Sequence, residues 1–222
     1  MAGAYDSALA EVAPVLKNLV VEHPFIDTIV NGELTRPVYA AYLRETYFLV
    51  GQTPYFLSAA AAHAKEEWLQ DWFLDLAIDE RHHDRLCVRD LRHLDYDPDA
   101  YLSGLPGLGA WTMIGQNHYL ARMSDPAAIV GFAAATEGLG ASLGPQAAAA
   151  MGQYEFAQTA NSFLRVHAAE DQEHIETVKK AFEQCAQSPE RYRLMTTTWE
   201  YTLRAYAQLF TDALEGATRG AP

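Results

Sequence analysis

Positive charge and cysteine are both scarce in this chain, and each scarcity removes a class of function. Sixteen Lys and Arg stand against 29 Asp and Glu over 222 residues, a formal net charge of -13. Binding a phosphate backbone needs clustered cations and none occurs, so no nucleic-acid partner is expected. The two cysteines, Cys87 and Cys185, lie far apart in helical patterns. They read as free core thiols rather than a disulfide framework. No apolar run approaches the roughly 20 residues that span a bilayer, and the opening MAGAYDSALAEVAPVL lacks a cationic segment followed by an apolar one. A cytoplasmic protein with no membrane partner is the expectation. Repeats, low-complexity linkers and composition shifts are absent as well, which predicts one domain over residues 1–222.

What the chain does have is apolar content, 50% of its residues, arranged at three- and four-residue steps rather than in alternation. That pattern predicts an all-α protein with a sizeable core. Capping residues beside prolines mark helix starts at Thr35-Arg36-Pro37, Asp97-Pro98, Asp125-Pro126 and Ser188-Pro189. Helices are predicted over 5–22, 36–63, 65–95, 107–124, 126–143, 151–186 and 189–215, with a short piece at 24–31. Pro54 is expected to kink or divide the second.

Two of these helices carry ligand-type side chains on the stripe that should face the core. In 151–186 the stripe runs through Phe156, Ala160, Phe163 and Leu164, then His167, Asp171 and His174, then Ile175, Val178 and Phe182. Offsets of four and seven return to nearly the same direction, so the three polar groups share a face over about 10 Å of axis. Glu173 points elsewhere and Glu170 lies at the margin. In 65–95 the stripe is Leu69, Trp72, Leu76, then Glu80 and His83, then Cys87, Leu91 and Leu94. Glu80-x-x-His83 is the spacing by which a carboxylate and an imidazole reach one ion in helix bundles. A lone Glu137 sits among small residues in GFAAATEGLGASLG. Each piece has a plainer reading: an exposed polar pair for Glu80 and His83, a hydrogen-bonded core histidine for HxxxDxxH, an arginine partner for Glu137. Burying all six is costly unless a shared partner satisfies them, and metal ions do so.

The order Glu80-x-x-His83, Glu137, His167-x3-Asp171-x2-His174 resembles the heme-oxygenase-like diiron oxidases and oxygenases. HPFIDTIVNGEL (23–34) and VYAAYLRETYFLV (38–50) resemble the N-terminal part shared with thiaminase II and pyrroloquinoline quinone synthase-like proteins of that fold. The resemblance implies a seven-helix heme-oxygenase-like bundle. It implies two iron ions held by Glu80, His83, Glu137, His167, Asp171 and His174, with Glu137 bridging, or with Asp79 in place of Glu80. It implies O2 as co-substrate, an external electron donor, and often a homodimer. The implied activity is oxidation of a small molecule, an amino acid or derivative first and a fatty acid as the alternative, by N-oxygenation, desaturation, C–C cleavage or nitrile or alkene formation in a biosynthetic pathway.

Two rival readings follow from the same fold. A metal-free thiaminase II-like hydrolase would need a cysteine nucleophile in the pocket, and a metal-binding bundle without catalysis would need only the ligands. Arg44, Arg122 and Arg204 are candidates to clamp a substrate carboxylate, with salt bridging to acidic neighbours as the alternative. Tyr47, Phe48, Tyr55, Trp111, Tyr119 and Phe132 are candidates to line a pocket or to fill core. His23 precedes a proline and so lies at a helix boundary rather than on a long face, and His63, His93 and His118 have no ligand-spaced partner.

Overall fold

The computed structural model describes residues 3–219; the first two and last three residues of the expected 1–222 domain lie outside the described residues. Those residues form an all-α bundle. In chain order the helices are α1 (Ala4–Val15, continued by a π-helical segment at Leu16–Val21), α2 (Pro24–Val30), α3 (Arg36–His63), α4 (Glu67–Asp79) and α5 (Asp84–His93). They are followed by α6 (Pro98–Tyr101), α7 (Leu108–Met123), α8 (Ala128–Met151), α9 (Ser162–Cys185) and α10 (Pro189–Arg219). No helix among the described residues is long and apolar enough to cross a membrane.

The capping signals act locally as their chemistry requires. Asp97 accepts from Asp99 N at 3.1 Å, Asp125 from Ala127 N at 3.0 Å, and Ser188 Oγ from Arg191 N at 3.4 Å. Thr35 makes no such bond and starts α3 through its backbone alone. Pro54 neither divides nor ends α3, which runs unbroken to His63. Loss of one backbone bond in the middle of a 28-residue helix is outweighed by a face buried from Tyr39 to Ala61.

Three predicted helices come out differently. The 65–95 segment is two helices, because the chain leaves α4 after Asp79 and His82 takes a left-handed φ of 82° before α5 begins. Histidine is among the non-glycine residues enriched in that conformation, so neither Gly nor Pro announces the break. The 151–186 helix starts only at Ser162; residues 155–157 form a 3-10 turn, and Phe156 and Ala160 pack from outside the helix. Asp90, fully buried on α5, explains that starting point: its carboxylate accepts from Ser162 N at 3.0 Å and Phe163 N at 2.9 Å, which are orphan donors of the first turn. In turn, α8 reaches Met151 rather than ending near 143, carried through Pro145 by its alanines.

Helix α8 lies at the centre, against α9 on one side and α10 on the other, and α3 completes the core against α4, α5, α7 and α10. The α8–α10 crossing depends on Gly131, whose position leaves no room for a Cβ beside the Met195 backbone carbonyl. Backbone cannot yield as a side chain can. Gly131→Ala is therefore expected to lower stability by about 1–3 kcal/mol or more, read as a reduced denaturant midpoint at unchanged slope.

Candidate metal centre

The six ligand-type residues converge from four elements onto one place in the core. Glu80 closes α4, His83 opens α5, Glu137 projects from the middle of α8, and His167, Asp171 and His174 share one face of α9. The Glu80–His83 pair therefore sits in a turn between helices rather than on a continuous helical face. The carboxylates are nearly sealed from water, with Glu80 5%, Glu137 7% and Asp171 4% exposed. Charges buried this deeply need strong partners, and the partners present are histidines rather than Lys or Arg.

Two groups of three donors form within this cluster. Glu80, His83 and His167 offer ligand atoms that all lie within 4.8 Å of one another, and so do Glu80, Glu137 and His174. Glu80 is thus common to both, where the resemblance implies Glu137 as the bridge. The reason is positional: Glu80 ends its helix between the α9 histidines, whereas Glu137 reaches only the His174 side. His83 Nδ1 is 3.2 Å from Glu80 Oε2, and His174 Nδ1 is 3.3 Å from Glu137 Oε2. The His83 and His167 rings lie edge to face with centroids 4.8 Å apart.

Asp171 belongs to neither group of three, although it is buried beside Glu137. It occupies the space left by Gly140 on α8, where a Cβ would overlap its carboxylate. Of the glycines near Glu137, Gly140 is the one that admits this acid, while Gly144 admits the Ala168 backbone. Gly140→Ala is expected to displace Asp171 and weaken metal binding, a change visible by metal titration.

Burial and mutual charge push the members of the cluster in different directions. Burial, then the Glu137 carboxylate, pushes Asp171 up to about 10. The hydrogen bond to Glu137 raises His174 to about 9. Burial works against ionising Glu80, but His83 and the charges of the neighbouring imidazoles outweigh it and hold its carboxyl below the usual range. Burial lowers His167, and Glu80 raises His83 against the burial of that ring. Oxygen and imidazole donors without thiolate suit a first-row divalent ion such as iron, so the donor set fits the metal that the resemblance implies.

Two further acids stand behind the ligands. Glu170 Oε2 lies 3.5 Å from His83 Nε2, and Asp79 Oδ2 lies 3.7 Å from His174 Nε2, both from partly exposed positions. Asp79 is thus outside both groups of three, and Glu170 is closer in than its marginal angle on α9 predicts. Asp90 was not legible as part of the site; its place seven residues after His83 on the inward stripe is the signal that marks it.

A cavity of about 140 Å³ opens beside the cluster, lined by Glu80, Glu137, His167 and Asp171 together with apolar residues of α2, α3, α8 and α9. Of the aromatic candidates only Phe132 lines it, whereas Tyr55, Trp111 and Tyr119 are exposed. The arginine candidates are engaged elsewhere. Arg44 binds the carbonyls of Tyr101, Ser103 and Leu105, Arg122 binds His118, and Arg204 binds Glu200. His23 caps α2 and contacts Thr211 at 3.2 Å. Cys87 and Cys185 are buried and neither lines the cavity.

An all-α bundle with a buried histidine–carboxylate cluster beside a largely apolar cavity defines a class, a helical protein with a candidate metal site next to a pocket. The chain belongs to the iron-containing redox enzyme family, whose profile matches residues 40–207. The fold is shared with a heme oxygenase-like domain of unknown function from Shewanella denitrificans, at 18% identity and TM-score 0.81 over 98% of this chain and 94% of that one. A TenA homologue from P. horikoshii superposes with TM-score 0.79 at 14% identity, over 97% and 100% of the two chains. A protein provisionally described as a TenA-like thiaminase from Sulfolobus solfataricus gives 0.77 at 14% identity, over 97% of each. No curated protein matches the chain.

Proposed function

We propose that the protein is an O2-dependent non-heme diiron oxidoreductase whose substrate places an aliphatic chain in the cavity. The observation that carries the metal reading is the pair of donor triads sharing Glu80. Glu80, His83 and His167 would hold one iron and Glu80, Glu137 and His174 the other, with Asp171 positioned to complete the second. Ferrous iron held there would supply electrons for reducing O2, and an external donor would restore them.

The chain's own residues do the rest. The apolar lining limits water at the cluster, and Asp171 and His174 hold protons that an entering metal would displace. Along α8 the cavity runs from Glu137 through Gly140, Leu143 and Gly144 to Ala147, about 15 Å of helix, faced by Ile26 and Ile29 of α2 and Leu164 and Ala168 of α9. Either substrate would have to place its carboxylate at the polar end of the cavity by Glu80, Glu137 and His167, since neither Lys nor Arg lines the rest. The remaining apolar length is filled by a long aliphatic tail but not by a compact amino acid. This favours the fatty-acid alternative over the amino acid that the resemblance puts first. A thiaminase-like hydrolase is disfavoured by the burial of both thiols away from the cavity, where burial also pushes Cys185 up to about 12.

The test is oxygen uptake after anaerobic loading with ferrous iron, against a panel of straight-chain fatty acids and amino acids. Iron-dependent uptake stimulated by fatty acids supports the reading; stimulation by amino acids alone overturns its substrate half, and uptake that does not depend on iron, or no stimulation by either class, overturns the rest. Ala147→Phe, which narrows the end of the cavity about 15 Å of helix away from Glu137, is expected to cut fatty-acid turnover at least about tenfold while iron content stays at the parent level.

A further inference from the structure

The three imidazoles of the cluster do not present the same nitrogen to it. His83 and His174 turn Nδ1 toward the ligand carboxylates, at 3.2 Å from Glu80 and 3.3 Å from Glu137, and leave Nε2 facing Glu170 at 3.5 Å and Asp79 at 3.7 Å. His167 does the reverse, because its Nδ1 lies 3.0 Å from the Phe163 carbonyl oxygen, one helical turn back. A carbonyl only accepts, so Nδ1 carries the proton and Nε2 is the nitrogen left for an ion. The same logic applies to the other two rings: a carboxylate behind Nε2 keeps the proton there and frees the Nδ1 lone pair.

We infer that Asp79 and Glu170 are positioning residues that hold His174 and His83 for metal binding through Nδ1, while the Phe163 carbonyl holds His167 for binding through Nε2. The inference rests on the diiron reading of the cluster and adds to it a division of labour. Each metal position receives one outer acid: Glu170 serves the Glu80–His83–His167 group and Asp79 serves the Glu80–Glu137–His174 group. Neither acid need touch an ion. Both are about half exposed, so neither is required to fill the core.

Two measurements on the metal-loaded full chain test this, with zinc as a diamagnetic stand-in for iron. In 15N-histidine NMR of the zinc-loaded protein, two imidazoles are expected to bind through Nδ1 and one through Nε2; binding of all three through Nε2 would overturn the inference. In competition titrations with a chelator, Glu170→Ala and Asp79→Ala are each expected to weaken one of the two sites by about 10- to 100-fold. The thermal midpoint of the metal-free chain should not move, and Glu170→Gln, which keeps an acceptor oxygen, should recover part of the loss. Unchanged affinities in the alanine variants of a chain that binds two ions would sink the positioning roles and leave the diiron reading standing. Failure of the parent protein to bind metal at all would sink both.

Discussion

Glu80→Ala is expected to abolish metal binding at both positions, whereas His83→Ala and His174→Ala each leave one ion per chain. The difference follows from Glu80 belonging to both donor triads while each histidine belongs to one. Removing a single imidazole leaves the other triad complete. Removing Glu80 leaves His83 with His167 on one side. On the other, Glu137 and His174 keep only Asp171 as a third donor, and its carboxyl, pushed up to about 10, holds a proton at neutral pH. Neither position then has enough ready donors to retain iron through desalting. Metal content after anaerobic loading reads the result directly. Retention of about one ion by Glu80→Ala, or loss of both ions from Glu137→Ala, would move the bridging role to Glu137. Folding is a small concern, since Glu80 ends its helix in an ordinary right-handed conformation that alanine adopts.

The clustering of the six ligand-type residues was legible because burial and spacing contradict each other in the sequence. Polar residues at offsets of four and seven on an otherwise apolar stripe must find partners inside, and α9 delivers His167, Asp171 and His174 to one place as that spacing requires. The way the chain presents Glu80 and His83 was not legible. An ExxH pair on a straight helix and one folded around a turn have the same letters, and the left-handed residue that makes the turn is a histidine. The start of α9 was equally hidden, because the acceptor that fixes it, Asp90, comes from a helix about 70 residues earlier and no local signal records a distant cap. Glu170 shows the limit of helical-wheel reasoning in another way. Its backbone angle is marginal, yet a glutamate side chain is long enough to bring its oxygen to His83.

Metal loading is expected to release protons, most steeply on the Glu137–His174 side. At pH 7 the Asp171 carboxyl, pushed up to about 10 by burial and Glu137, and the His174 imidazole, raised to about 9 by its bond to Glu137, both carry a proton. Coordination requires the ionised carboxylate and the neutral ring, so both protons leave when an ion enters. The sign is fixed: the metal-free state binds more protons, and affinity rises with pH. Two protons correspond to about a 100-fold gain per pH unit below about pH 9, falling to about tenfold between 9 and 10 once His174 is already neutral. The other side should respond less steeply, because burial lowers His167 and keeps that ring neutral, leaving His83 as its proton-bearing group. The two slopes separate in variants that keep one position each. His83→Ala retains the Glu137–His174 side, and His174→Ala retains the His83–His167 side. Zinc titrations from pH 6.5 to 8.5 against a chelator of known proton affinity, paired with calorimetry in buffers of different ionisation enthalpy, count the protons. A flat profile in His83→Ala would show that Asp171 and His174 are not the groups metal displaces. The steep profile means instead that acid weakens the Glu137–His174 position more per pH unit than the His83–His167 position, so the ratio of the two affinities itself changes with pH.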